Sequence, residues 1–278
     1  MSQRRKLKQK MQQLADIRDI MDAMKNLAMV EVLKLKNRLV NQQQMVLDLE
    51  RMAADFLDFH PYSAARDSSG PDVWVLFGSE RGFCGDFNDA LTRNLDQHLQ
   101  QSGGTRDILL PVGGKLQRRL QNRPEEVRFI NGPDVTEDVG LMLNNIVDHI
   151  GQLQSEFNSV NVHVMFHHAD NGQVICNLLI PPFRDFEEQK ESSGVAPLLN
   201  MEPGDFFITL VDEYLYTALH EVAYMSLLSE NYQRIQHMTV ALQRLNERTN
   251  ELRRHYHIHR QEEITEELEV ILLNATNV

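Results

Sequence analysis

The sequence predicts a chain of the α/β class. Two very long helices at its ends pair as an antiparallel coiled coil, and an open α/β domain lies between them. Three observations predict this. All 14 glycines and all 9 prolines fall between Pro61 and Gly204. Both ends carry apolar residues at heptad spacing. The middle alternates between short apolar runs and amphipathic stretches. The expected domains are residues 1–60, the N-terminal helix; 61–204, the central domain; and 205–278, the C-terminal helix.

Glycine breaks helices through backbone entropy, and proline through its missing N–H. The breaker-free ends would extend roughly 90 and 110 Å as helices. In the first, Leu7, Leu14, Met21, Ala28 and Leu35 recur every seventh position. A second series, Ile17 and Met24, is interrupted by Lys10, Glu31 and Arg38. This is a coiled-coil seam, well formed at one heptad position and broken at the other. Met45, Leu49, Met52 and Phe56 continue the stripe in a shifted phase. The C-terminal helix repeats the logic with Ile235, Leu242, Thr249, Tyr256 and Met238, Leu245, Leu252, His259. Unpaired, each seam loses ~1.5–3 kcal/mol per large side chain left in water. Pairing the two ends covers both. Beyond Arg260 the stripe shifts again through Ile264, Leu268, Ile271, Leu272 and Ala275. The longer C-terminal helix is expected to project alone there and to need a socket from other proteins.

In the middle, Val73–Phe77 reads as a buried strand ending at Gly78, and Asp86–Gln101 as a helix with Phe87, Leu91, Leu95 and Leu99 on one face. Asp107–Val112 reads as a strand, Lys115–Asn122 as a helix, Val127–Ile130 as a strand and Val139–Leu153 as a helix. Val162–His167 and Val174–Ile180 read as a hairpin around Asn171-Gly172. Strands alternating with helices give an open, Rossmann-like α/β sheet.

The formal charge is −12, yet residues 1–38 hold ten Lys and Arg against four acids. A basic end on an acidic protein points to an acidic partner surface. A regular apolar stripe on that helix favours helix packing over nucleic acid. Two cysteines, Cys84 and Cys176, give no disulfide framework and fit a reducing compartment. No run of about 18 apolar residues is present. The first residues lack the apolar stretch of a signal peptide, so a cytoplasmic location is expected.

The Gly78–Gly85 loop sits between a strand and a helix, but its spacing is neither G-x-G-x-x-G nor a phosphate loop. Gly113-Gly114-Lys115 lacks the upstream glycine and the following hydroxyl. Neither implies a cofactor. His163, His167 and His168, and His255, His257 and His259, do not converge as three or four ligands, so no metal is expected. Cys84 has no acid–base partner in the local sequence. Glu262, Glu263, Glu266, Glu267 and Glu269 form an acidic face that reads as solvated or partner-facing. No catalytic residue is predicted.

Ser79-Glu-Arg-Gly-Phe-Cys-Gly-Asp-Phe-Asn88 resembles the Ser-Asp-Arg-Gly-Leu-Cys-Gly-Gly-(Phe/Leu)-Asn segment of the gamma subunit of F-type ATP synthases. Ile17–Met29, with its Met21-Asp-Ala-Met-Lys25 core, resembles the family's Ile-Thr-Lys-Ala-Met stretch. Arg260-Gln-Glu-Glu-Ile-Thr-Glu-Glu-Leu268 resembles its Arg-Gln-Ala-Xaa-Ile-Thr-Xaa-Glu-Leu. Ser229, Glu230, Arg234 and Met238 fall in register with a further segment. The resemblance implies a rotor without an active site of its own. Its coiled coil would turn inside a ring of three alpha and three beta subunits. Its central domain would sit against the epsilon subunit and the membrane ring of c subunits. Membrane association would come only through these partners, on the cytoplasmic face of a bacterial inner membrane, and ion flow would be coupled to ATP synthesis or hydrolysis.

By position, Met24, Lys25, Arg260, Gln261 and Thr265 would meet the beta subunits. Ile271, Leu272, Leu273 and Ala275 would form the tip that turns in a bearing. Arg81, Gly82, Cys84, Gly85 and Asn88 would build a structural turn. Three departures, at Thr239–Asn246, at Glu262-Glu263 and across Phe183–Met201, point to a divergent, alternative or sodium-type branch. Two other readings fit the patterns: a passive coiled-coil scaffold, and a nucleotide-using α/β enzyme with a helical dimerisation arm.

Overall fold

The computed structural model describes residues 3–60, 70–101, 106–183 and 198–276. Helix α1 runs Gln3–Phe59 and helix α5 runs Pro203–Thr276. Between them come β1 (Asp72–Phe77), α2 (Phe87–Gln101), β2 (Asp107–Val112), α3 (Gly114–Leu120), β3 (Glu126–Val127), a 3-10 turn (Thr136–Asp138), α4 (Val139–Phe157), β4 (Asn161–His167) and β5 (Val174–Ile180). The chain divides into two compact units. One holds the residues up to Ala28 with those from Ile235 on, and the other holds Met29–Arg234. Of the unusual Phe183–Met201 stretch, residues 184–197 lie outside the described residues.

In the first unit the two helices pair antiparallel. Met21, Met238 and Leu242 form a buried cluster, with Met24, Ala241 and Leu245 packed against it. Further along, Arg4 Nη1 reaches Glu263 Oε2 at 2.9 Å. On α5 the two predicted heptad series are the positions withdrawn from solvent: Ile235, Met238, Leu242, Leu245, Thr249, Leu252, Tyr256 and His259 are buried or half-buried. On α1, Leu7, Leu14, Met21 and Met24 are withdrawn in the same way, while Ile17 is exposed. Ile264, Leu268, Val270, Ile271 and Leu272 are exposed.

In the second unit α1 and α5 are again antiparallel. Gln42 Nε2 donates to the Thr217 carbonyl at 2.9 Å, and Lys36 lies 5.4 Å from the Tyr232 ring centre. Ala53, Phe183 and Leu210 form a cluster flanked by Leu49, Leu57, Phe206, Phe207, Val211 and Tyr214. The predicted phase of the later stripe is corrected here. Met45 and Met52 are exposed, while Val46, Ala53 and Phe56 are buried. A step of one residue turns the chain by ~100° around a helix, so the neighbouring positions carry the true stripe.

The sheet has the order β3-β2-β1-β4-β5. The first three pairings are parallel, and β4 with β5 is antiparallel. Trp74, Leu76, Leu109 and Met165 point to one side and pack with Phe87, Leu91 and Leu95 of α2 and Leu116 and Leu120 of α3. The alternate residues Val73, Val75, Ile108, Leu110, Val162 and Val164 are equally buried, so both faces of the sheet are covered. Strand β3 is shorter than predicted. Ile130 N–H still donates to the Pro111 carbonyl at 3.1 Å and Ile130 forms an isolated bridge with Val112. Pro111 has no N–H to return towards that neighbour, which breaks the ladder. The predicted β4–β5 hairpin is present, and its link closes with His168 N–H on the Gln173 carbonyl at 2.8 Å.

Between α1 and α5 of this unit lie two carboxyls, Glu50 and Glu221. Burial raises both above the ordinary range, although Gln43 hydrogen-bonds to Glu221 and opposes the shift there. Burial also pushes the Tyr214 hydroxyl up, to about 12. A carboxyl whose folded pKa is raised holds a proton that the unfolded chain releases. Its favourable contribution is complete below the unfolded value and is lost as pH rises through the folded one. Glu221→Gln is therefore expected to raise the thermal midpoint at pH 8 and to leave it nearly unchanged at pH 4.5. Melting curves of the two chains at both pH values check this.

Candidate partner-contact patches and the glycine turn

The turn after β1 is built from the inside out. Gly78 N–H donates to the Val112 carbonyl at 3.0 Å, and a Cβ on Gly78 would come within 2.5 Å of Leu116 Cβ. Only glycine lets α3 approach this closely. Ser79 is fully buried and hydrogen-bonded on two sides by Asn88: its N–H donates to Asn88 Oδ1 at 3.0 Å and its Oγ accepts from Asn88 Nδ2 at 2.8 Å. The Cys84 thiol donates to Ser79 Oγ at 3.2 Å, and burial pushes the thiol up, away from a reactive thiolate. Gly85 takes a positive φ of 61°, which releases the chain into α2. Gly82 differs from the other two. A Cβ there meets Lys115 Cε at an ordinary 3.6 Å. What Gly82 supplies is its carbonyl.

That carbonyl accepts from Arg234 Nε of α5 at 3.4 Å. Arg234 Nη1 also donates to Asn231 Oδ1 at 2.8 Å, and Nη2 pairs with Glu230. Burial pushes the Glu230 carboxyl up and Arg234 pulls it back. One turn away from the pair, Ser226 Oγ donates to the Phe77 carbonyl at 3.1 Å. Arg81 Nε donates to Asp134 Oδ1 at 2.8 Å, a bond that holds the Asp134 carboxyl below the usual range and raises Arg81.

Glu80, just after β1, ties together the loops that follow β2 and β3. Glu80 Oε2 accepts the Gly114 N–H at 2.9 Å and the Gly132 N–H at 2.8 Å.

The predicted partner residues fall into separate patches. Met24 packs beside Met21 and Met238, and Lys25 next to it is half-buried. Arg260, Gln261 and Thr265 are exposed on α5, and Thr265 Oγ1 donates to the Gln261 carbonyl at 2.9 Å. Arg260 lies 22 residues beyond Met238, roughly 33 Å along the helix. Ile271 and Leu272 are 62% and 64% exposed. The side chains of Leu273 and Ala275 lie outside the described residues. An open groove of about 290 Å³ on one face of α5 is lined by His237, Val240, Arg244 and Arg248 among others.

The histidines are engaged elsewhere. His163 stacks on Trp74 at 4.5 Å, the His167 ring nitrogens face the Gly172 and Phe87 carbonyls at 2.9 Å, and His259 Nδ1 lies 2.9 Å from Glu262. Among the described residues no group of three or more His, Cys, Asp or Glu could hold a metal ion. Sequence reasoning gave Ser79 and Glu80 no role beyond the motif that contains them and did not single out Thr136. Their signal is tertiary, since each bonds an element distant in sequence or across a turn.

The family model described as ATP synthase matches residues 3–276. The ATP synthase gamma chain of Malacoplasma penetrans is 22% identical over 268 residues, covering 92% of each chain. That of Bacteroides thetaiotaomicron is 23% identical over 290 residues, covering 96% of this chain and 97% of its own. Among solved structures, the rotor of the Euglena gracilis mitochondrial ATP synthase superposes with a TM-score of 0.62 at 15% identity, covering 94% of this chain and 98% of that one. The central stalk and c-ring structure of the Tetrahymena thermophila enzyme gives 0.55 at 19% identity, covering 80% and 99%.

The turn makes a stability prediction. Asn88→Ala leaves the buried Ser79 N–H without its acceptor and removes one of two donors to the Ser79 hydroxyl, so it should cost about 1–3 kcal/mol. Chemical denaturation of the full chain measures it.

Proposed function

The chain belongs to the ATP synthase gamma family, and from that premise we propose that it is the central-stalk rotor of an F-type ATP synthase, a subunit with no catalytic site of its own. The observation that carries the reading is that the family match spans residues 3–276, taking in both long helices and the sheet between them.

In this reading the coiled coil turns inside three alpha and three beta subunits, and the α/β domain rests on the epsilon subunit and the c ring. Ion flow, of H⁺ or Na⁺, turns the shaft, and each face of the shaft favours a different beta-subunit conformation. A rotor can bias that equilibrium only through contacts that differ between the conformations. Met24, Lys25, Arg260, Gln261 and Thr265 supply those contacts, and the α5 tip with Ile271, Leu272, Leu273 and Ala275 turns in the bearing. No described helix is long and apolar enough to cross a membrane, which fits a peripheral subunit on the cytoplasmic face of a bacterial inner membrane.

Arg260→Ala with Gln261→Ala should lower ATPase of the assembled complex about 10-fold, the cost of one to two lost hydrogen bonds in the transition state. Circular dichroism of the isolated chain should not change. Full coupled activity in a complex whose rotor lacks residues 260–278 would refute the shaft-contact account.

A further inference from the structure

Glu31 interrupts the seam of α1, and the rotor reading gives it no task. It is nevertheless buried, at 9% exposure. Its Oε2 accepts the Thr136 N–H at 3.0 Å and the Thr136 hydroxyl at 2.6 Å. Its Oε1 accepts Lys34 Nζ at 2.9 Å, and Lys34 continues to Glu137 at 3.2 Å. Thr136 opens the 3-10 turn that leads without a break into α4. The capping position before it is Val135, whose side chain makes no cap. The first amide of a helix needs an acceptor, and a negative charge is favoured at that end. Glu31 supplies both from a helix more than a hundred residues away in sequence.

An apolar seam is non-directional. It holds two helices together but resists sliding and turning only through side-chain fit. A buried carboxylate held by three donors has a fixed direction and distance. The same unit holds α5 at a different polar contact, where Arg234 Nε donates to the Gly82 carbonyl at 3.4 Å. Each helix is therefore tied to the loops around the sheet at a separate polar point.

We propose that Glu31 is a positioning residue that fastens α1 to the amino end of α4, so that α1 cannot turn about its axis without carrying the α/β sheet with it. Its use in passing torque rests on the rotor reading; the fastening itself does not. Hydrogen exchange on the isolated full chain tests the fastening. Glu31→Ala should speed exchange of the Thr136 amide by ~10–100-fold while leaving the β1 and β2 amides unchanged. Glu31→Gln, which keeps an acceptor, should fall between, and Thr136→Ser should match the wild type. Unchanged Thr136 exchange, or equal acceleration throughout the chain, overturns the fastening. In the assembled membrane complex, Glu31→Ala should lower ions moved per ATP hydrolysed at least twofold with ATPase retained. A wild-type ratio there overturns the torque role. A wild-type complex that moves no ions with ATP would instead sink the rotor reading, and the exchange result would stand.

Discussion

The structure depends on burying the apolar stripes of α1 and α5 against each other. A helix of 57 or 74 residues has no interior of its own. Most helical stability in water comes from packing an amphipathic face, and each large side chain on the seam is worth about 1.5–3 kcal/mol. The two stripes are far apart in sequence, so only a chain that reverses direction between them can join them. The α/β domain is that reversal. From Thr217 to Arg234, α5 has no residue left exposed, which is the mark of a helix enclosed on all sides. The strands between the two helices are therefore parts of a fold that the long helices complete.

Polar groups occur inside this fold where one element must be held at a definite angle to another. Ser79 and Asn88 set the exit from β1, Glu80 joins the loops after β2 and β3, Arg234 joins α5 to the turn, and Glu31 joins α1 to α4. A buried polar group is costly unless its partners are in place, so each junction excludes alternative packings. An open α/β sheet of this kind hosts many functions, so the sheet by itself assigns none.

The long helices were legible because breakers and heptads act locally. The C-terminal series from Ile235 to His259 reads directly onto the withdrawn positions. Met45 and Met52 misled because Val46 and Ala53, their immediate neighbours, are also apolar, and at Ala53 the choice is set by Phe183 and Leu210, which are distant in sequence. Glu31 was visible as an interruption, but its partner Thr136 was not, because no local pattern announces an acceptor supplied from a distant helix. Strand β3 was overextended for a similar reason: the missing N–H of Pro111 acts on a neighbouring strand, not on its own. The proposed partner residues rest on resemblance alone. Arg260, Gln261 and Thr265 are exposed polar residues on a helix, and nothing in their geometry distinguishes them from solvated ones.

That last point has a physical basis. A rotor must be rigid within itself and weakly committed at its surface, because every contact it makes with the surrounding ring has to break within a turn. Rigidity leaves marks in a single chain, as buried pairs, caps and packed apolar stripes. Transient contact leaves exposed side chains whose partners belong to other subunits. Glu31, held by three donors, is of the first kind, and Gln261, open to solvent, would be of the second if the proposed contact is made. Residues that hold a chain together show their partners within it, whereas residues that touch other subunits acquire their geometry only in the assembly.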